Sequence, residues 1–149
     1  METTMFNYYF DEERGEHHKY TIKLFKMIKD GVFEAYTSYY VTSELEDAEE
    51  PKRNRMLDLI EEYGMTVLDE NEEIRRMGKL YVEKCIIPQK YLADALHIAT
   101  ATVYDLDAII SMNFEHIVKQ KTIRMAGVIN VENGYNAIEI CSPKEAVEK

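Results

Sequence analysis

The sequence predicts an α/β domain with a largely parallel sheet. Three observations carry that expectation: segments with a helical repeat alternate with short apolar runs, Gly or Pro stands at the junctions, and 149 residues suit a single domain covering 1–149. Residues 16–30 place Tyr20, Leu24, Met27 and Ile28 at i, i+4, i+7 and i+8, a helical stripe closed by Gly31, where a left-handed cap is wanted. FEAYTS (33–38) suits a short strand. A helix follows over 39–49 and stops before Pro51, and another over 54–63, with Gly64 in the capping position. MTVLD (65–69) reads as a short apolar strand, and 70–85 as an amphipathic helix through Ile74, Met77, Tyr81 and Cys85. Pro88 breaks the pattern, and 89–104 resumes it with Ala93, Ala95, Ala99 and Ala101, small side chains that let a helix lie close against a sheet. AIISM (108–112) reads as a buried strand and IEIC (138–141) as the last one, with a short helix near 114–121 between them.

Composition narrows the classes. With 46% apolar residues, six glycines and three prolines, neither wholesale disorder nor flexible linkers are expected. No apolar run approaches the ~20 residues that cross a bilayer. The opening METTMFNYYFDEERGE has neither the basic start nor the apolar stretch of a secretory signal, so a cytoplasmic protein is expected. Cys85 and Cys141 show no pairing or metal-ligand spacing and read as packing thiols in a reduced protein. The formal charge of −10 argues against holding nucleic acid by phosphate neutralisation alone. A phosphate-bearing substrate would need a local basic patch or a metal ion; otherwise the acidity serves solubility.

In parallel sheets functional residues collect at the carboxyl ends of the strands. Three polar residues stand out there. Glu44 shares the stripe of Val41, Leu45 and Ala48, and Asp94 shares that of Tyr91, Ala95 and Ile98. A buried carboxylate costs several kcal/mol unless it is paired, so each needs a base, backbone donors or a cation. Asn113 directly follows the AIISM strand. Each has a plainer reading: Glu44 as a rim residue or salt-bridge partner, Asn113 as a turn residue. His97 and His116 read more readily as core, His17 and His18 as surface. Tyr8 and Tyr9 are either packing residues or the lining of a substrate groove. Lys52, Arg53 and Arg55, with Lys119, Lys121 and Arg124, are candidates for RNA backbone contact or simply solvated faces. No G-x-G-x-x-G or G-K-[ST] run occurs, which argues against nucleoside triphosphate use.

At these residues the chain resembles a family. YLADALHIATATVYDLDAIISMNFEHI (91–117) is similar to the signature of PIN-domain ribonucleases, the fold of VapC-like toxins, with Asp94 opening D-A-L-H-I-A-x-A and Asn113 in the T/S-x-D/N-F position. YYVTSELEDA resembles the segment carrying the family's helical Glu, matched by Glu44. ETTMFNYYF resembles its opening D-T/S-x-x, with Glu2 at the acidic position and Thr3 beside it.

The resemblance implies a three-layer α/β/α domain with a central, mostly parallel sheet. The family's first strand precedes the acid matched by Glu2, and this sequence begins one residue before it, so that strand is expected to be missing. The implied activity is a Mg²⁺- or Mn²⁺-dependent endoribonuclease. Asp94, Glu44 and Glu2 would be ligands, Asn113 a neutral ligand or water-orienting group, and Thr3 and Ser111 hydrogen-bond donors behind them. Asn for Asp at the fourth position lowers the site's charge and favours one metal. RNA as substrate, an antitoxin protein and a homodimer are the implied partners. The competing reading keeps the fold with an impaired pocket, acting as a protein- or RNA-binding module. A phosphatase-like enzyme is disfavoured, because no D-x-D run follows a first strand.

Overall fold

The computed structural model describes residues 5, 9–10, 15–47, 49–84, 87–111 and 119–148. In chain order the elements are α1 (Glu16–Lys29), β1 (Tyr36–Ser38), α2 (Tyr39–Glu46), α3 (Lys52–Glu62), β2 (Thr66–Leu68), α4 (Glu72–Glu83), a 3₁₀ turn (Gln89–Tyr91), α5 (Leu92–Val103), β3 (Ala108–Ile110), α6 (Gln120–Glu132), β4 (Glu139–Cys141) and α7 (Pro143–Glu148).

Local chemistry sets the boundaries. Gly31 ends α1 with φ 82°, a backbone state that favours glycine. The Ser38 hydroxyl accepts from Val41 N–H at 3.3 Å to start α2, and Asn71 Oδ1 accepts from Ile74 N–H at 2.8 Å to start α4. α7 begins with a reciprocal cap: Glu145 N–H donates to Ser142 Oγ at 3.3 Å, and Ser142 N–H donates to Glu145 Oε1 at 3.1 Å. Neither α6 nor α7 was expected. The helix near 114–121 falls largely outside the described residues, and its place after 119 is taken by the much longer α6.

The strands are parallel, as predicted, but the described residues form two separate pairs rather than one sheet. β1 pairs with β2 in the register Tyr36–Thr66, Thr37–Val67 and Ser38–Leu68, and β3 pairs with β4 in the register Ala108–Glu139, Ile109–Ile140 and Ile110–Cys141. β2 differs from the expected apolar strand: Thr66 and Val67, on opposite faces, are both exposed, so both faces of this strand reach solvent.

Alternation along β3 and β4 divides the core. Ile109 and Ile140 join Ile74, Met77, Ile98 and Ile129 from α4, α5 and α6. Ile110 and Cys141 turn the other way, toward Leu24 and Ile28 of α1 and Ala146 and Val147 of α7. Helices therefore cover both faces of the β3–β4 pair, as a period of two requires when both faces are apolar. A third cluster, with Phe25, Val41, Leu45, Met56 and Leu59, joins α1, α2 and α3. Each such aliphatic side chain contributes about 1.5–3 kcal/mol by burial. α7 is further fastened to α1 by Lys144, 3.6 Å from Glu16 and lying over the Tyr20 ring.

One polar network crosses the larger core. The Tyr81 hydroxyl donates to Asn130 Oδ1 and lies 3.1 Å from Thr102 Oγ1, while Asn130 Nδ2 donates to Thr102 Oγ1 at 3.0 Å. It ties α4, α5 and α6 together. No helix of the described residues is long and apolar enough to cross a membrane.

Asn130→Ala leaves Tyr81 and Thr102 without that partner and is expected to cost about 1–3 kcal/mol in urea unfolding. Two groups also make stability fall in alkali. Burial, then Glu145, pushes the Cys141 thiol up to about 11, and burial pushes the Tyr81 phenol up to about 12. Both hold their protons more tightly folded than unfolded, so their contribution is complete below about pH 8.5 and is lost as pH climbs toward those values. Urea midpoints measured from pH 8 to 11 should decline, and Cys141→Ala should flatten the lower part of the curve.

Candidate functional site

α2 and α5 meet where the sequence placed its two helical acids. Glu44 does not lie under α2 as the stripe implied; its side chain is 40% exposed. Three residues advance a helix by about 300°, leaving Glu44 about 60° off the Val41–Leu45 line, at the rim of the buried face. From that rim its Oε1 lies 3.3 Å from Nε2 of His97, whose side chain is 4% exposed. Glu44 thus meets a histidine of α5, a partner the sequence reading had not paired with it.

Asp94 is half-buried in the first turn of α5, where the amino-terminal end of the helix dipole favours a negative charge. His97 follows it by three residues, and such pairs share a helix face. Glu44 is therefore brought to the same helix that carries Asp94, one turn along, through His97. His97 was read from sequence as an ordinary core residue. Its position three residues after Asp94 was the available sign that it belongs beside the acids.

Behind His97 lies a small cavity of about 30 Å³ in which Thr37, Ser38 and Thr100 supply hydroxyl groups. Its size and these hydroxyl groups fit one or two waters. Ser111, directly after β3, is fully buried, and its N–H donates to the Cys141 carbonyl at 3.1 Å, extending the β3–β4 ladder. Glu2, Thr3, Asn113, His116, Tyr8 and Cys85 lie outside the described residues.

Other sequence candidates resolve into packing or surface. Tyr9 packs against neighbours: its hydroxyl lies 3.1 Å from that of Tyr63 and its ring meets Phe25 edge to face at 4.8 Å. Cys141 is buried and its thiol is held protonated, as expected of a packing residue. Arg53 pairs with Glu50. Lys119, Lys121 and Arg124 are exposed around the start of α6, with Lys121 and Arg124 three residues apart on one face.

Two of the four expected metal ligands are thus described, and both offer hard oxygen donors of the kind a divalent alkaline-earth ion takes. Among the described residues no group of three His, Cys, Asp or Glu is close enough to hold a metal. The chain matches no protein-family model, no curated protein and no solved structure.

The Glu44 carboxylate stands at the solvent-facing rim, where a charge contact contributes little to stability. Glu44→Ala is therefore expected to cost less than about 1 kcal/mol, whereas Ile98→Ala, fully buried on the same α5, should cost about 2–5 kcal/mol. Urea unfolding of the two variants checks the contrast. A large loss from Glu44→Ala would assign that side chain to the framework.

Proposed function

We propose that this chain is a PIN-type, metal-dependent endoribonuclease that hydrolyses RNA phosphodiester bonds. Under this reading the helices on both faces of the β3–β4 pair belong to a three-layer α/β/α domain. The observation that supports it best is the Glu44–His97 contact, which brings the acid-bearing α2 against the first turns of α5, where Asp94 stands. The two carboxylates come from separate sequence segments, each resembling a motif of that family.

Glu44 and Asp94, with Glu2 and Asn113, would hold one Mg²⁺ or Mn²⁺. The ion, when bound, polarises the scissile phosphate and offsets charge that builds on it. Glu44 and Asp94 set where the phosphate sits, and Thr3 and Ser111 hydrogen-bond the acids into position. The exposed Lys119, Lys121 and Arg124 provide the local basic patch that an acidic chain needs to meet an RNA backbone. A cytoplasmic homodimer with RNA as substrate, acting as the toxin of a toxin–antitoxin pair with an antitoxin protein as partner, completes the proposal.

Mn²⁺ titration followed by thermal unfolding is expected to raise the midpoint by several degrees in wild type and to leave Asp94→Asn unmoved. Single-stranded RNA should be cleaved with Mn²⁺ and not with excess chelator, and Asp94→Asn should lower the rate about 100-fold or more. An equal Mn²⁺ response from both proteins, or cleavage that survives chelation, overturns the proposal.

A further inference from the structure

Two cavities flank one slot between β1 and β3. The small cavity beside His97 lies on the α5 side; a second, of about 650 Å³, lies on the other side against Leu24 and Ile28 of α1 and Ala146 of α7. Tyr36, Leu106 and Ala108 line both. Ile109 faces the first and Ile110 the second, so the two cavities lie on opposite faces of the strand layer beside β3. β3 gives one edge to β4, and its opposite edge borders the slot. The larger cavity falls within the ~300–1,000 Å³ of built ligand sites.

Its walls are apolar and its rim is charged with one sign. Val32, 58% exposed, and Phe33 and Tyr104, each 38% exposed, line the opening. Glu34, Asp105, Asp107 and Glu139 stand at or just before the amino ends of β1, β3 and β4, and no Lys or Arg occurs among the described lining residues. A strand edge is recognised by extended backbone, an apolar wall accepts the side chains on one face of that strand, and four carboxylates at one end favour positive charge there. A second copy would bring another chain of charge −10 to an acidic rim.

We propose that the slot between β1 and β3 is a docking groove for an extended, apolar segment of a partner polypeptide that carries Lys or Arg at the end beside Glu34, Asp105 and Asp107. The segment pairs with the edge of β3 that no described strand occupies, sends one row of its side chains into the larger cavity, and sets its basic end against the acidic rim.

Fluorescence anisotropy of the full chain with the labelled peptide KKVTVIVN tests this. Saturable binding is expected in the range of about 10–100 µM, weakened about tenfold or more for EEVTVIVN and for KKVTVPVN, whose proline removes a ladder donor. Asp107 is exposed, so Asp107→Lys should leave the urea midpoint unchanged, weaken the lysine-led peptide several-fold and strengthen the glutamate-led one. Ala108→Trp should block all three. No saturable binding up to about 1 mM, or equal binding of the three peptides, overturns the proposal. So does a self-associated chain from which KKVTVIVN is excluded, an outcome that would give the slot to a second copy.

Discussion

The close seat of α5 in the interior is the constraint on which the rest of the structure depends. Ala95, Ala99 and Ala101 are buried along it and, having little side chain, let the helix axis come near its neighbours. A large residue at any of them would push the helix away and pull apart contacts made by the others. From this one helix Thr102 reaches the network of Tyr81 and Asn130, Ile98 reaches the core under β3, and His97 reaches Glu44. Gly78 on α4 accommodates the same approach: a Cβ there would come within 2.8 Å of Leu96 Cδ2. Placement of the acids is therefore a result of packing. Glu44 and Asp94 stand on neighbouring helices because two apolar stripes had to be buried.

Much of this was legible in the sequence, for identifiable reasons. The helical repeat of Tyr20, Leu24 and Ile28 and the glycine after it locate α1 to within a residue at either end. The 36–38, 66–68, 108–110 and 139–141 strands were visible as short apolar runs between punctuating residues, and their alternation with helices gave the parallel sense. The misses have equally local causes. α6 carries the polar Thr122 and Asn130 on its buried face, which hides the repeat of Ala126 and Ile129 from a search for hydrophobic residues. α7 is announced by Ser142 and Glu145 three apart, a capping signal that is easy to pass over before only six helical residues. The division of the strands into two pairs could not be read at all. Pairing between distant segments depends on which edges meet in space, and nothing within a run of three residues records that.

The candidate site was legible to a different degree. Periodicity marked Glu44 and Asp94 but overstated how deeply Glu44 is covered, because a residue 60° from a short helix's apolar line can reach solvent. It also passed over His97, whose role depends on a neighbour from another helix. The chain's acidity has a similar local texture. Exposed acids gather at the amino ends of β1, β3 and β4, while Lys119, Lys121 and Arg124 gather at the start of α6. The net figure of −10 thus averages over surfaces of opposite character.

The fastening of α7 across α1 has a consequence for how the chain reaches this state. Synthesis delivers α1 well before α7, and a six-residue helix has no stability of its own in water. Until residues 139–148 leave the ribosome, Leu24 and Ile28 lack the Ala146 and Val147 that cover them, and β3 lacks β4. Segments far apart in the sequence must find each other, so this half of the molecule closes through long-range contacts, and a nascent chain halted before β4 keeps a sticky face open to chaperones.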